Sequence, residues 1–167
     1  MKNLFKYIII IIAILCVAPC VSAQTVGYTY KALAAEGCSM KYSVVKQDSN
    51  YYIIATVRSD RMNFLSSPTM KIRTFNNEVI TLNGVVIGNG SESAGIVAGN
   101  MIIPITEISS TAQFIITPEQ FEMLNDGVQK IRMSMTPMDH ERTFKKDKIG
   151  KKLYQFYLKA KSKDDDF

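Results

Sequence analysis

The sequence predicts an α+β domain. About six antiparallel strands form one strongly twisted or curled sheet, with a short helix near 118–125 at one edge and an amphipathic helix near 147–161 across a face. A β-sandwich with a C-terminal helix is the alternative. Three observations carry this reading. Most of the chain consists of short runs in which apolar and polar residues alternate, the period of a strand with one buried and one wet face. The stretch Ile115 to Met135, IITPEQFEMLNDGVQKIRMSM, spells a strand end, a capped helix, a stop and a further strand without interruption. The last segment repeats Ile149, Leu153, Phe156 and Tyr157 at helical spacing.

In chain order, Lys2 and Lys6 precede the apolar run Tyr7 to Val17, and Val21-Ser22-Ala23 offers small residues where a signal peptidase reads. The run is short for a bilayer span and no charged stop-transfer cluster follows. Residues 1–23 are therefore expected to be a secretory signal, cleaved near Ala23, which places the protein in the periplasm or outside the cell. Leu15 before Cys16 and Pro19 before Cys20 make poor lipidation sites. One domain, 24–163, is expected, followed by the acidic tail 164–167. Cleavage after Ala23 leaves 144 residues, enough to bury roughly two-thirds of the unfolded chain's surface without staples. Cys38 then stands alone among the three cysteines, and a small buried residue explains it better than a nucleophile or an intermolecular bridge.

Gln24 to Gly37 mixes Tyr28 and Tyr30 with an alanine-rich patch and fits a strand or a short helix equally. From Ser39 the pattern clears: Met40, Tyr42 and Val44 alternate with polar residues, Gln47-Asp48-Ser49-Asn50 turns the chain, and Tyr51 to Arg58 is rich in aromatic and β-branched residues, a hairpin. A second hairpin pairs Met70 to Phe75 with Val79 to Leu82 across Asn76-Asn77, a turn that tolerates positive φ. Gly84 to Asn100 holds five of the nine glycines and reads as a flexible loop between strands. Its Gly88-Asn89-Gly90-Ser91 lacks the Lys-Ser/Thr and following helix of a phosphate-binding loop. Asn89-Gly90-Ser91 fits a glycosylation sequon, a pattern too short to weigh on its own. Met101 to Ile105 and Ala112 to Ile116 supply two more strands, with Pro104 marking an edge or a bulge.

Thr117 and Gln120 form a capping box around Pro118 at the first helical position. Phe121 and Leu124 share a face, and Asn125-Asp126-Gly127 stops the helix. Beyond it Ile131, Met133 and Met135 alternate with Lys130, Arg132 and Ser134. His140, the sole histidine, lies between Asp139 and Glu141. Adjacent residues rarely converge on one ligand, so a solvated loop is expected there, not a general base or a metal site.

The charge is local. His140 to Lys163 holds nine basic and two acidic residues, a net of +7, whereas Gln24 to Asp139 holds nine and ten, a net of −1. Lys145, Lys148, Lys151, Lys152 and Lys159 are the candidate anion-binding residues, toward an anionic glycan or a membrane surface. The competing reading is a solvated face over a core-docked helix. Nucleic acid is disfavoured, because the lysines are not interleaved with base-stacking aromatics. A protein partner is open, and no catalytic residue, metal ligand or cofactor is implied.

The layout resembles the small exported domains of unknown function common in Gram-negative bacteria. Two segments carry the resemblance: KIRTFNNEVITL, Lys71 to Leu82, and TPEQFEMLNDGVQKIRM, Thr117 to Met133. The resemblance implies no activity and no site residues. The expected function is a non-enzymatic exported binding or interaction module, with a cell-envelope hydrolase or an inhibitor of one as the alternative.

Overall fold

The computed structural model describes residues 24–30, 38–60, 63–98 and 101–162. The expected signal segment 1–23, the alanine-rich patch and the acidic tail lie outside the described residues. Among those described, the chain is a mostly-sheet domain: eight antiparallel strands and two helices, consistent with an α+β class. The strands are β1 (Val26–Tyr30), β2 (Cys38–Gln47), β3 (Asn50–Ser59), β4 (Thr69–Thr74), β5 (Val79–Ala98), β6 (Met101–Ile116), β7 (Val128–Met133) and β8 (His140–Thr143). The helices are α1 (Pro118–Leu124) and α2 (Gly150–Ser162). The order across the single sheet is β1-β2-β3-β6-β5-β4-β7-β8. The expected count of six strands is too low, and the sandwich alternative fails because one continuous sheet curls into a half-barrel around its own core.

Both predicted hairpins form. β2 and β3 pair to Gln47 opposite Asn50, which leaves Asp48 and Ser49 as the loop, with Asp48 at φ 53°. Asn77, at φ 67°, makes the turn from β4 to β5, where the Thr74 hydroxyl accepts from the Glu78 N–H at 3.2 Å. Two corrections fall on the next stretch. Gly84 to Asn100 is not a loop between strands: β5 runs through to Ala98. Met101 to Ile105 and Ala112 to Ile116 are one strand, β6.

Pairing overrides composition there. Antiparallel β6 offers β5 a ladder from Gly84 opposite Phe114 to Ala98 opposite Met101, and hydroxyls add to it. The Ser110 Oγ donates to Asn89 Oδ1 at 2.6 Å, and Ser93 and Thr106 share a hydrogen bond at 3.1 Å. A register shift between Val86 and Gly88 absorbs an irregularity without ending the strand. β3 covers β6 only from Ile108 onward, so Pro104, which has no N–H to donate, sits where β6 has one neighbour.

The curl creates the core. On β3 Tyr51, Ile53, Ala55 and Val57 point inward. So do Met40 and Tyr42 of β2, Ala112, Phe114 and Ile116 of β6, Ile72 of β4 and Ile131 of β7, all buried. The residues between them point outward, which is why the alternation was readable. Both helices lie against this inner face. Phe121 of α1 stacks on Tyr157 of α2 with ring centres 4.5 Å apart, and Tyr51 meets both rings edge-on. α1 therefore packs on central strand β3 and on α2, not at a sheet edge as expected. Among the described residues no helix is long and apolar enough to cross a membrane.

Candidate anion-binding surface

α2 is positioned by one carboxylate and one glycine. Asp147 Oδ1 accepts from the N–H groups of Val128 at 2.9 Å, Gly150 at 2.8 Å and Ile149 at 3.2 Å, and Oδ2 accepts from Lys151 at 3.0 Å. The helix thus begins at Gly150, three residues later than the periodicity suggested, because Asp147 caps it and takes no place in it. Burial opposes ionisation of Asp147, and donation from the Val128, Lys151, Gly150 and Ile149 amides outweighs it, so the carboxyl is held below its ordinary value. A Cβ at Gly150 would come within 2.7 Å of the Leu124 carbonyl and the Val128 N–H, so only glycine lets the helix start lie this close to the end of α1. Gly127, at φ +80°, makes the αL turn predicted after Asn125-Asp126.

Ile149, Leu153 and Tyr157 are buried, whereas Phe156 is only partly so. The Tyr154 hydroxyl donates to Glu122 of α1 at 2.7 Å. The opposite face is open. Lys145 and Lys148 lie on the approach to the helix, Lys151 and Lys152 in its first turn, and Lys159 in its last, and all five are exposed. Among the described residues Lys145, Lys148, Lys151 and Lys152 have no salt-bridge or hydrogen-bonded side-chain partner.

The structure therefore gathers four of the candidate lysines at the start of α2. Cations are disfavoured there by the positive end of the helix dipole. Asp147, the carboxylate within that run, is already occupied by four backbone donors. Lys159 stands about 12 Å away along the axis, at 1.5 Å per residue, and donates to Gln24 Oε1 at 3.1 Å.

A second cluster joins the two edges of the sheet. The curl brings β1 toward β8: the His140 ring lies 4.3 Å from that of Tyr30 and 5.8 Å from that of Tyr28, and Phe144 meets Tyr28 edge-on at 5.4 Å. His140 is not in a solvated loop. It opens β8 and is half-buried, because the alternation that leaves Glu141 outside turns His140 toward the tyrosines. Desolvation, then the Arg142 charge, lower its pKa. Burial pushes Tyr28 and Tyr30 up to about 12.

Cys38, opposite Tyr30 in the ladder, is fully buried and donates its S–H to Asp60 Oδ1 at 3.1 Å. Burial, then the bond to Asp60, raise the thiol's pKa, so at neutral pH it is a protonated buried group and a poor nucleophile, in keeping with the small-residue reading.

One grouping was missed in sequence. Lys71 and Arg73 of β4 stand directly opposite Arg132 and Lys130 of β7 on the outer face of the sheet. Each strand showed its Lys-x-Arg spacing, but nothing in the sequence says that strands sixty residues apart are neighbours. No protein-family model matches this chain, and no curated protein or solved structure matches it either.

Proposed function

We propose that the protein is a non-enzymatic binding module of the cell envelope, exported by its N-terminal signal, that holds an anionic glycan or lipid surface through the lysines at the start of α2. One observation carries the reading: Lys145, Lys148, Lys151 and Lys152 are exposed and have no acidic partner among the described residues, on a segment whose apolar face is fixed in the core. Such a surface holds a positive potential in a set place and needs no rearrangement to bind. An exposed patch of this kind gives salt-sensitive attraction, because ionic strength screens charges beyond about 8 to 10 Å.

The test is retention of the purified protein on a sulfated polysaccharide and on vesicles with and without an anionic phospholipid, at low and physiological salt. Retention on either anionic surface that weakens as salt rises supports the reading, and the surface retained distinguishes glycan from lipid. No retention on either at low salt removes it.

A further inference from the structure

Going beyond the helix, we infer that the outer face of β4 and β7 is a separate site for a ligand carrying two phosphate groups. Lys71 faces Arg132 and Arg73 faces Lys130 across one antiparallel ladder. Like charges directly opposite one another weaken a sheet, yet this pairing occurs twice in succession. The two pairs are two residues apart, so the four cations make a grid roughly 7 Å long on the strand repeat and about 5 Å across on the strand spacing.

Acids compensate half of it. Asp139 accepts from Arg132 Nε at 3.1 Å and Nη2 at 2.8 Å, and Glu141 holds the Lys130 ammonium at 2.7 Å. Lys71 and Arg73 are exposed and have no partner among the described residues. Arg132 spends only part of its five N–H donors on Asp139, so its outer edge is still open to an acceptor.

The surface is shaped as well as charged. A hollow of about 160 Å³ is lined by Lys71, Arg73, Lys130, Arg132 and Glu141 with Val79. A second, of about 270 Å³, is lined by Lys71, Arg132, Asp139, Thr69 and Ser134. Lys71 and Arg132 line both hollows, so one anionic group in each would share that pair, and the second hollow adds the hydroxyls of Thr69 and Ser134. Phosphate fits better than a lone carboxylate because the ligand must draw cations away from Asp139 and Glu141, and a dianion does so more strongly than a monoanion; the guanidinium fork binds phosphate oxygens in pairs as it does those of a carboxylate. A phosphorylated saccharide or inositol, free or as a lipid headgroup, has this chemistry.

The probe is inositol hexakisphosphate, titrated calorimetrically against inorganic phosphate, with a second arm of phosphatidylcholine vesicles carrying phosphatidylinositol bisphosphate. The variant Lys71→Glu/Arg73→Glu removes the two free cations and turns both like-charge pairs into opposite-charge pairs, so its urea midpoint should equal or exceed that of the unmodified protein. Inositol hexakisphosphate should bind at least tenfold more tightly than inorganic phosphate, and the double reversal should remove at least tenfold of that affinity. Lys151→Glu/Lys152→Glu should leave it within twofold. Binding in the vesicle arm as well assigns the headgroup form, and binding only in solution assigns the soluble form.

A folded double reversal that binds within twofold of the unmodified protein, or hexakisphosphate that binds no better than phosphate, overturns the site. Loss on the helix reversal alone overturns it too, while supporting the lysines of α2. Failure of the helix reading shows elsewhere, in retention on anionic surfaces that the helix reversal leaves unchanged.

Discussion

Removing the Asp147 carboxylate should cost far more than its half-exposed surface position suggests. Asp147→Ala takes away the acceptor for four backbone N–H groups at once. Losing a helix cap costs about 0.5 to 2 kcal/mol. The Val128 N–H, on a residue with no exposed surface, is left without a partner, and a buried unsatisfied donor costs about 1 to 3 kcal/mol. Together the loss is about 1.5 to 5 kcal/mol, a large part of the 5 to 15 kcal/mol that holds a typical domain. Urea unfolding followed by circular dichroism measures it as a lower midpoint at unchanged slope.

Asp147→Asn should lose less, because its amide oxygen can replace Oδ1 on Val128, Ile149 and Gly150 but not Oδ2 on Lys151. The sign of the pH dependence is fixed by the depressed folded pKa. Ionised Asp147 contributes stability above the ordinary carboxyl value of 3.8, and that contribution is lost as pH falls through the lower folded value. The Asn variant should lack this component. An Asp147→Ala midpoint within about 0.5 kcal/mol of the unmodified protein, the range of an ordinary surface change, would refute the tie between α2 and the start of β7.

The remaining predictions concern the core and the junction of the sheet edges. Phe121→Ala should destabilise by about 3 to 5 kcal/mol, as truncated core aromatics do, since the ring stacks on Tyr157 and meets Tyr51; a near-native urea midpoint would remove α1 from the core. His140 is the chain's only histidine and its folded pKa is lowered, so folding stability should be complete above its ordinary value of about 6.5 and fall as pH drops below that. Urea midpoints between about pH 7.5 and pH 5.5 should fall for the unmodified protein and hold for His140→Phe; parallel profiles would contradict the packing of His140 against Tyr28 and Tyr30.

The legible parts of this fold are those where one local signal decides. Thr117 and Gln120 each need only the other's backbone, so the capping box was readable and forms, with the Thr117 N–H donating to Gln120 Oε1 at 3.0 Å and the Gln120 N–H to Thr117 Oγ1 at 3.3 Å. Alternation in β2, β3, β4 and β7 was readable because one face of each meets the core. β5 was misread because its glycines and serines have no apolar face there: the strand exists through pairing with β6, which is a tertiary fact. Strand order is non-local too, and it hid both the cation grid on β4 and β7 and the approach of His140 to Tyr28 and Tyr30. The lysines of α2 were countable in sequence, but their lack of acidic partners among the described residues is visible only once the neighbouring acids are placed.

If α2 folds with one face and binds with the other, one paired measurement separates the two roles. The affinity for anionic vesicles or sulfated polysaccharide and the urea midpoint are determined for Leu153→Ala and for Lys151→Glu/Lys152→Glu. Leu153 is buried to 1% exposure, so its truncation should cost about 2 to 5 kcal/mol and leave the affinity of the folded fraction unchanged. The lysine reversal should shift stability by no more than about 0.5 kcal/mol and weaken binding several-fold at low salt. A lysine reversal that binds as tightly as the unmodified protein would contradict a binding role for the exposed face of α2.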